Sequence, residues 1–472
     1  MRQGDPTLGL AAAGAACPGA NDLKGLVAPR EILPVNRGQH NPSVAPVAAP
    51  IPVVERERGY LWLLLGLLMS VTIFEGYDVT IFHLCTPDIA RTFHMDDAAV
   101  GRMASLVRVG GMAAFFLVMY SDRIGRKPVI SATVLFYTLF TLFTALSRGL
   151  TTFTLFQSCA QLFLSAEFGI AIIMISEEFP ASSRGTGIAL LNMVGLLGVI
   201  AGGILYAVVV DSRWGWRGMY LIGIIPLLLV AFLRRSVRET ARFEALQAER
   251  ERNGDNNRGI IAALRLAVEP LRGPYRGRIL LVALLWNSVG LVGAPAVTFF
   301  SLYAKRDQHW TSSEISHAIV LAYLVGTIGH MLAGWSLDRI GRKVTTGVAY
   351  VVGAVSILLL FQTESHAAML ASMVVTVFAF QGARTATATF SSELFPTEIR
   401  ATSYSLTVQL LGQITSLLTP VTVGALSKSL GGLGNAVAVV SAGPIVGALL
   451  VWMFAPETRG RTLEELEAVA AD

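Results

Sequence analysis

The chain has 472 residues, of which 53% are hydrophobic and only 15% charged, and its mean hydropathy is +0.58. That balance excludes an ordinary water-soluble globule and makes a lipid bilayer the principal solvent. The formal net charge of +5 invites a nucleic-acid reading, but the basic residues gather at the ends of apolar segments, where anionic headgroups lie, so no nucleic-acid partner is expected.

In chain order, residues 1–57 are rich in Ala, Gly and Pro, contain no spanning run or convincing signal-peptide core, and read as a disordered cytoplasmic tail. Apolar runs follow near 59–83, 98–119, 128–147, 152–175, 185–210 and 217–233. A charged stretch, 234–278, reads as a solvated cytoplasmic helix and linker. Six further runs lie near 279–302, 314–335, 344–362, 367–391, 401–425 and 433–454, before a cytoplasmic tail at 456–472. Each run is long enough to cross a hydrocarbon core of roughly 30 Å as a helix. Helices are required because a spanning segment must satisfy its own backbone hydrogen bonds, and the alternation of a membrane barrel is absent.

The second set of six repeats the first. Asp122-Arg123-Ile124-Gly125-Arg126-Lys127 recurs 216 residues later as Asp338-Arg339-Ile340-Gly341-Arg342-Lys343. The same offset carries Glu177-x-x-Pro180-x-x-x-Arg184 onto Glu393-x-x-Pro396-x-x-x-Arg400. The expected architecture is therefore an all-α membrane protein of twelve transmembrane helices in two pseudo-symmetric six-helix bundles, 58–233 and 279–455. With the N-terminus placed inside, the cytoplasmic segments carry 23 Lys and Arg residues against eight opposite, which puts both termini in the cytoplasm of a multi-pass cell-membrane protein.

The repeated loops also have a local physical reading. Gly125 and Gly341 allow tight turns, the basic residues favour the headgroup side, and the acids Asp122 and Asp338 want cationic partners, for which Arg184 and Arg400 lie on the same membrane face. For the cluster of Asp122, Arg123, Arg126, Glu177 and Arg184 and its copy Asp338, Arg339, Arg342, Glu393 and Arg400, the bland reading is that the charges merely fix topology, although topology needs the basic residues but not the acids.

Ionisable residues within the spans are costly and mark function. Glu75, Asp78, Arg108 and Glu167 lie in the first half, His330 and Arg384 in the second. A carboxyl group held away from water can exchange a proton near neutral pH, so Asp78, then Glu75 and Glu167, are the candidate proton carriers. The competing reading makes Arg108 a permanent salt-bridge partner of one of these acids. Where the first half has Glu167 the second has Ala383, with Arg384 beside it, and a cavity-facing guanidinium suits a carboxylate; the alternative pairs Arg384 with Glu167. His330 suits a proton relay or simple packing. Asn287, Gln381 and Gln409 are further polar candidates for substrate contact or interhelical hydrogen bonding. Cys17, Cys85 and Cys159 offer neither a disulfide framework nor a metal spacing, and no cofactor is expected.

The paired hexapeptides resemble the hallmark of the major facilitator superfamily across the whole apolar region. Trp216-Arg217, Arg238-Glu239-Thr240-Ala241-Arg242-Phe243 and Pro456-Glu457-Thr458-Arg459-Gly460-Arg461-Thr462-Leu463-Glu464-Glu465 are similar to segments of its sugar porters and its metabolite and aromatic-acid proton symporters. Glu75-Gly76-Tyr77-Asp78 resembles the paired acids of the aromatic-acid symporters, and Ala166-Glu167-Phe168-Gly169 an acidic segment of metabolite symporters. One departure is Val118, where the family usually has the glycine that Gly334 supplies in the second half; it puts close helix packing at the first copy in question. The resemblance implies that the hexapeptide clusters latch the cytoplasmic side when the protein faces outward. The glutamine pairs typical of sugar porters are absent, and Gly198-Val199-Ile200-Ala201-Gly202-Gly203 lacks the proline of drug antiporters. The expected function is proton-coupled symport of a small organic anion, such as an aromatic acid, by alternating access. The rivals are a sugar or polyol carrier, an organic-cation carrier and, from another class, a non-transporting membrane sensor. No nucleophile elbow or phosphate loop points to an enzyme.

Overall fold

The computed structural model describes residues 57–233, 238–253, 275–395, 403 and 406–459, and those residues contain helices and no strands. The first half comprises α1 (Arg58–Thr92), α2 (Asp97–Ile124), α3 (Arg126–Leu146), α4 (Leu150–Glu178), α5 (Ala181–Val209) and α6 (Gly215–Leu233). A short polar helix, α7 (Ala241–Asn253), precedes the second half: α8 (Arg276–Arg306), α9 (Ser312–Arg339), α10 (Arg342–Gln362), α11 (His366–Glu393), α12 (Ile414–Ser429), α13 (Leu433–Val440) and α14 (Gly443–Phe454). Among the described residues ten spans are long and apolar enough to cross a membrane, counting 406–429 and 433–454 as one each; α5 and α6 complete twelve.

Three elements depart from a regular, unbroken spanning helix of 31 residues or fewer. Helix α1 runs 35 residues, through Pro87, and carries Asp88 to the end of the bundle. The eleventh span is not a regular α-helix throughout: a π-helical turn, Leu406–Leu410, and a 3-10 turn, Leu411–Gln413, precede α12. Asn287 on α8 fills that break, donating to the carbonyls of Ala283 (2.8 Å) and Leu411 (2.9 Å) and accepting from the amide of Thr415 (2.8 Å). Irregular backbone inside a membrane survives only where protein groups satisfy it in this way. The twelfth span is split into α13 and α14 because Pro444 at the start of α14 has no amide to continue the preceding ladder.

Within the first half α1 packs along α5, and α4 against α2 and α3; in the second, α11 lies between α9 and α10. Hydroxyl groups in the apolar spans return to the carbonyl one turn back, as Thr138 does to Val134 (2.7 Å) and Thr376 to Ser372 (2.7 Å), so they cost little in hydrocarbon. At the tight turns between α2 and α3 and between α9 and α10, Gly125 (φ 111°) and Gly341 (φ 121°) adopt a conformation that a side chain would strain. The Val118 departure is absorbed by a neighbour: Val118 seats on Gly169 of α4, whereas Gly334 faces open space. Close packing at the first copy is thus retained with the bulk moved across the interface.

The two halves meet through α2 and α12, α5 and α9, and α1 and α8. These contacts gather at the end of the molecule opposite the hexapeptide loops. Gly101 lies against the Pro420 carbonyl and Gly424 against that of Asp97, while Ser105 donates to the Leu417 carbonyl (2.7 Å). Lys305, at the end of α8, donates to both carboxylate oxygens of Asp88 (3.0 and 3.1 Å) and to the Ser312 hydroxyl (3.0 Å). The Tyr206 hydroxyl of α5 donates to the same carboxylate (3.2 Å), and Arg306 pairs with Asp97 of α2. Asp88 and Lys305 are largely buried, so removing one partner strands the other; that costs about 3–5 kcal/mol for buried pairs. In Lys305→Gln, spin labels placed at the exposed positions Arg91 and His309 are expected to show a second, longer distance population in pulsed electron resonance. An unchanged single distance in Lys305→Gln would show that this pair does not hold the halves together.

Candidate functional site

At the hexapeptide end each half builds the same lock. Arg126, the first residue of α3, is buried and pairs with Glu177 at the end of α4 (2.9 Å) while donating to the Ser121 carbonyl (3.0 Å). The Glu239 carboxylate accepts the backbone amides of Arg126 (2.9 Å) and Lys127 (3.1 Å), capping the N-terminus of α3. The Thr240 hydroxyl donates to Glu177 (2.7 Å). In the second half Arg342 pairs with Glu393 through two nitrogens (2.9 and 3.2 Å), Glu457 accepts the amides of Arg342 (3.0 Å) and Lys343 (3.1 Å), and Thr458 is hydrogen-bonded to Glu393. A side chain at Gly125 or Gly341 would collide with the capping carboxylate, so each glycine is needed twice.

The arginines that close the locks are Arg126 and Arg342, each paired with the glutamate of the second motif. Asp338 faces Arg342 at 3.3 Å from a largely exposed position. Arg123 is exposed, and Arg339 lies over the Trp335 ring at 5.6 Å. The side chains of Asp122 and Arg184, and Arg400 as a whole, lie outside the described residues. Glu239 and Glu457 were not singled out as gate residues, although a signal existed. The dipeptide Glu-Thr occurs at 239–240 and again at 457–458, two residues out of step with the 216-residue offset.

Midway along the spans a second set of charges faces the gap between the halves. Arg384 of α11 is exposed although it sits within a membrane-spanning helix, and it lies within electrostatic reach of Glu75 on α1, so it points toward the opposite half. Phe380, one turn earlier, has its ring 5.8 Å from the guanidinium. Arg108 of α2 is half-buried, and Tyr323 of α9 lies within reach of both arginines. Among the described residues no carboxylate lies within 4.0 Å of Arg108 or Arg384; the pairings weighed for them, with Glu167 above all, are not formed.

The acids separate. Glu75 is half-buried and faces the gap, within reach of Glu167, Arg384 and Asp78. Asp78 is 1% exposed and points into its own bundle, where Gln157 of α4 donates to it (3.4 Å) and the Tyr137 hydroxyl of α3 faces it. Three residues along a helix turn about 300°, so the two side chains diverge by about 60°, enough to put one in the gap and the other behind it. Glu167 is fully buried on α4, near Tyr137. His330 is half-buried with its Nδ1 2.6 Å from the Thr385 hydroxyl. Gln381 packs against Gly326, Asn287 pins the break before α12, and Gln409 falls in the π-helical turn, its side chain outside the described residues. Sequence reasoning missed Tyr137, Gln157 and Tyr323, ordinary aromatic and polar residues whose importance comes only from the neighbours that folding supplies.

Twelve spanning helices in two related halves, with charges facing each other across the interface, define a membrane transport protein acting on a small molecule rather than an enzyme. The chain belongs to the Major Facilitator Superfamily, whose family model matches residues 68–420 and again 288–471. It is 26% identical over 387 residues to a gallate transporter of Pseudomonas putida, covering 76% of this chain and 85% of the relative. It is 24% identical over 371 residues to the 4-hydroxybenzoate transporter PcaK of Pseudomonas aeruginosa, covering 73% and 82%. The fold is similar to that of the inward-open xylose transporter XylE from E. coli, with a TM-score of 0.69 at 20% identity, covering 87% of this chain and 100% of that one.

The locks have a pH signature that can be read outside the spans. Burial pushes the Glu457 carboxyl up, but the amides of Arg342, Arg459 and Lys343 and the Arg342 guanidinium more than offset it, leaving the group below its ordinary value of 4.5. A depressed carboxylate stabilises the folded arrangement above the unfolded value, and that contribution is lost as pH falls through the lower, folded one. Hydrogen exchange of the Arg342 and Lys343 amides is therefore expected to be flat from pH 7 to 5, after correction for intrinsic rates, and to quicken below about 4.5. Glu457→Gln should show the faster exchange already at pH 7. A profile in Glu457→Gln identical to that of the unaltered protein would remove Glu457 from the lock.

Proposed function

We propose that the protein is a proton-coupled importer of small organic anions, aromatic or other carboxylic acids, working by alternating access. The observation that supports this reading most is the pair of mid-span guanidinium groups, Arg108 and Arg384, one from each half and neither within ion-pair distance of a described carboxylate. Two cations facing a shared gap beside the rings of Tyr323 and Phe380 suit a ligand that brings its own carboxylate and a flat apolar body. The relatives described as gallate and 4-hydroxybenzoate transporters handle molecules of that kind.

The coupling follows from electrostatics. An incoming carboxylate that engages Arg384 competes with Glu75 for the same cation, and the carboxylates of Glu75, Glu167 and Asp78 then share a region with too little positive charge. Taking up a proton relieves that excess, so substrate and proton bind better together than apart. Glu75 faces the gap and exchanges the proton with substrate entry; Asp78, behind it with Tyr137 and Gln157, holds the proton away from water. Arg108 and Arg384 bind the anion, with His330, Gln381 and Gln409 as neighbouring polar contacts. Asn287 positions the broken eleventh span. With both termini in the cytoplasm, as the Lys and Arg distribution favours, the far end is the outer face. The structure then corresponds to an inward-facing state, closed outside by Asp88 and Lys305, and the Arg126 and Arg342 locks brace the cytoplasmic end of each half.

Reconstituted into proteoliposomes, the protein is expected to accumulate radiolabelled benzoate-type acids only when a proton gradient is imposed, and sugars or amines not at all. Asp78→Asn should abolish gradient-driven accumulation while retaining substrate binding. Arg384→Gln should raise the KM for the acid about 10- to 100-fold, the range expected for a lost hydrogen bond to a charged group. Uptake of sugars or amines instead, or an Arg384→Gln protein with unchanged KM for the acid, would remove the anion assignment, and binding without flux would favour a sensor.

A further inference from the structure

The two halves are alike in sequence but differ on their lipid-facing surface. In the second half α9, α10 and α11 enclose an apolar groove of about 170 Å³ whose walls include Leu332, Ile340, Val344, Val348 and Val352. Its floor is made of small residues, among them Gly329, Ala379 and Gly382. Leu332, Ile340, Val344 and Val348 are each about half exposed, so the groove opens outward, away from the interface between the halves. Four of the lining positions carry aromatic rings in the first half. With the 216-residue offset, Phe116 stands for Leu332, Tyr120 for Ser336, Phe136 for Val352 and Phe163 for Ala379. Phe136 and Phe163 stack with ring centroids 5.0 Å apart, where the second half has only Val352 and Ala379. The groove therefore does not follow from the repeat fold; the second copy lacks four aromatic rings that the first copy has at these positions, and the one lining aromatic it gains, Phe378 for Leu162, leaves the groove open.

Its chemistry changes along its length. Toward mid-span it is wholly apolar. Toward the hexapeptide end it meets the hydroxyl pair Ser336 and Thr345, 2.8 Å apart, and its rim carries the exposed Arg339 beside Trp335, with Lys343 one turn on. Asp338, the acid at that rim, is held by Arg342 at 3.3 Å. Along α9 the groove runs from Gly329 to Ile340, about 16 Å at 1.5 Å per residue, which matches one leaflet of a hydrocarbon core roughly 30 Å thick. A hydrocarbon slot one leaflet long, then hydroxyl donors, then cations, is the order of groups in an anionic phospholipid read from tail to headgroup.

We propose that this groove is a binding site for one anionic phospholipid, with an acyl chain lying between α9, α10 and α11, the ester region at Ser336 and Thr345, and the phosphate at Arg339 and Lys343. The match of charge and polarity at the rim selects a lipid over a second copy of the chain, which would need an apolar surface to the very end. Cations at a membrane surface attract anionic lipid by about 1 kcal/mol each, a factor of about five in occupancy.

The test is lipid retention by the purified full-length protein, measured by native mass spectrometry after equilibration with mixed micelles of phosphatidylglycerol and phosphatidylcholine. One phosphatidylglycerol is expected to remain bound in preference to phosphatidylcholine. Arg339→Gln and Lys343→Gln should each reduce that preference about fivefold. Ala379→Phe, which installs the ring that the first half has at this position, should eliminate retention without lowering the melting temperature. Equal retention of the two lipids, or unchanged preference in both charge variants, would overturn the proposal even if Ala379→Phe fails to fold. A dimer that falls apart in Ala379→Phe would assign the groove to a second copy and likewise overturn it.

Discussion

A charge in hydrocarbon must be paired, hydrated or neutralised, and the whole molecule is arranged around the ways it meets that demand. At the two ends of the spans the charges are paired: Arg126 with Glu177, Arg342 with Glu393, Lys305 with Asp88. In the middle, Arg108 and Arg384 have no described carboxylate within ion-pair distance, and Arg384 remains exposed inside a spanning helix. The gap and the mid-span arginines imply each other. Without the gap Arg384 would sit in a low-dielectric interior with no described carboxylate in ion-pair range, a cost that no fold of marginal stability absorbs.

The ionic clusters at the two ends differ in what they connect. The Arg126 and Arg342 locks tie helices of one half to each other and to the segment that follows that half, through Glu239 or Glu457. They stiffen each bundle end without joining the bundles. The Asp88 and Lys305 cluster joins α1 and α5 to α8 and α9, across the halves. A rocking motion of rigid halves can thus leave the locks intact internally while it must break the far-end cluster. The asymmetry is one of connectivity, since both ends use the same Arg, Lys and carboxylate chemistry.

The fold was legible because the repeat is carried by polar residues at span ends, where an apolar sequence offers few other landmarks. Two motifs with one offset fixed the number of units, and the length of the apolar runs fixed what each unit was made of. Local departures were less legible. The π-helical turn before α12 leaves no mark in an apolar run, because what stabilises it, Asn287, lies more than a hundred residues away. The break between α13 and α14 was readable in principle from Gly443-Pro444. Of the mid-span residues, the sequence gives depth but not azimuth or company. Glu75 and Asp78 read as one acidic face, and a divergence of about 60° was enough to give them different surroundings. Asp88 and Lys305 were invisible for a different reason: charges near a span end are expected there, and only the meeting of α1 with α8 shows that they hold the halves together.

Internal duplication also sharpens what a difference between halves means. Two copies of one unit begin with the same packing problem, so a position where they diverge is a position where one copy has been released from it or given another task. Ala383 and Arg384 against Glu167 are one such divergence: the first half buries an acid on α4 where the second has alanine, with the exposed Arg384 beside it. Val118 and Gly334 are another, resolved by moving the bulk between neighbours so that the lock beneath is the same in both halves. The stacked pair Phe136 and Phe163 against Val352 and Ala379 is a third, and a groove remains in the second half even though Phe378 there stands for Leu162. In hydrocarbon such a space is filled by lipid, and the cations beside it decide which lipid.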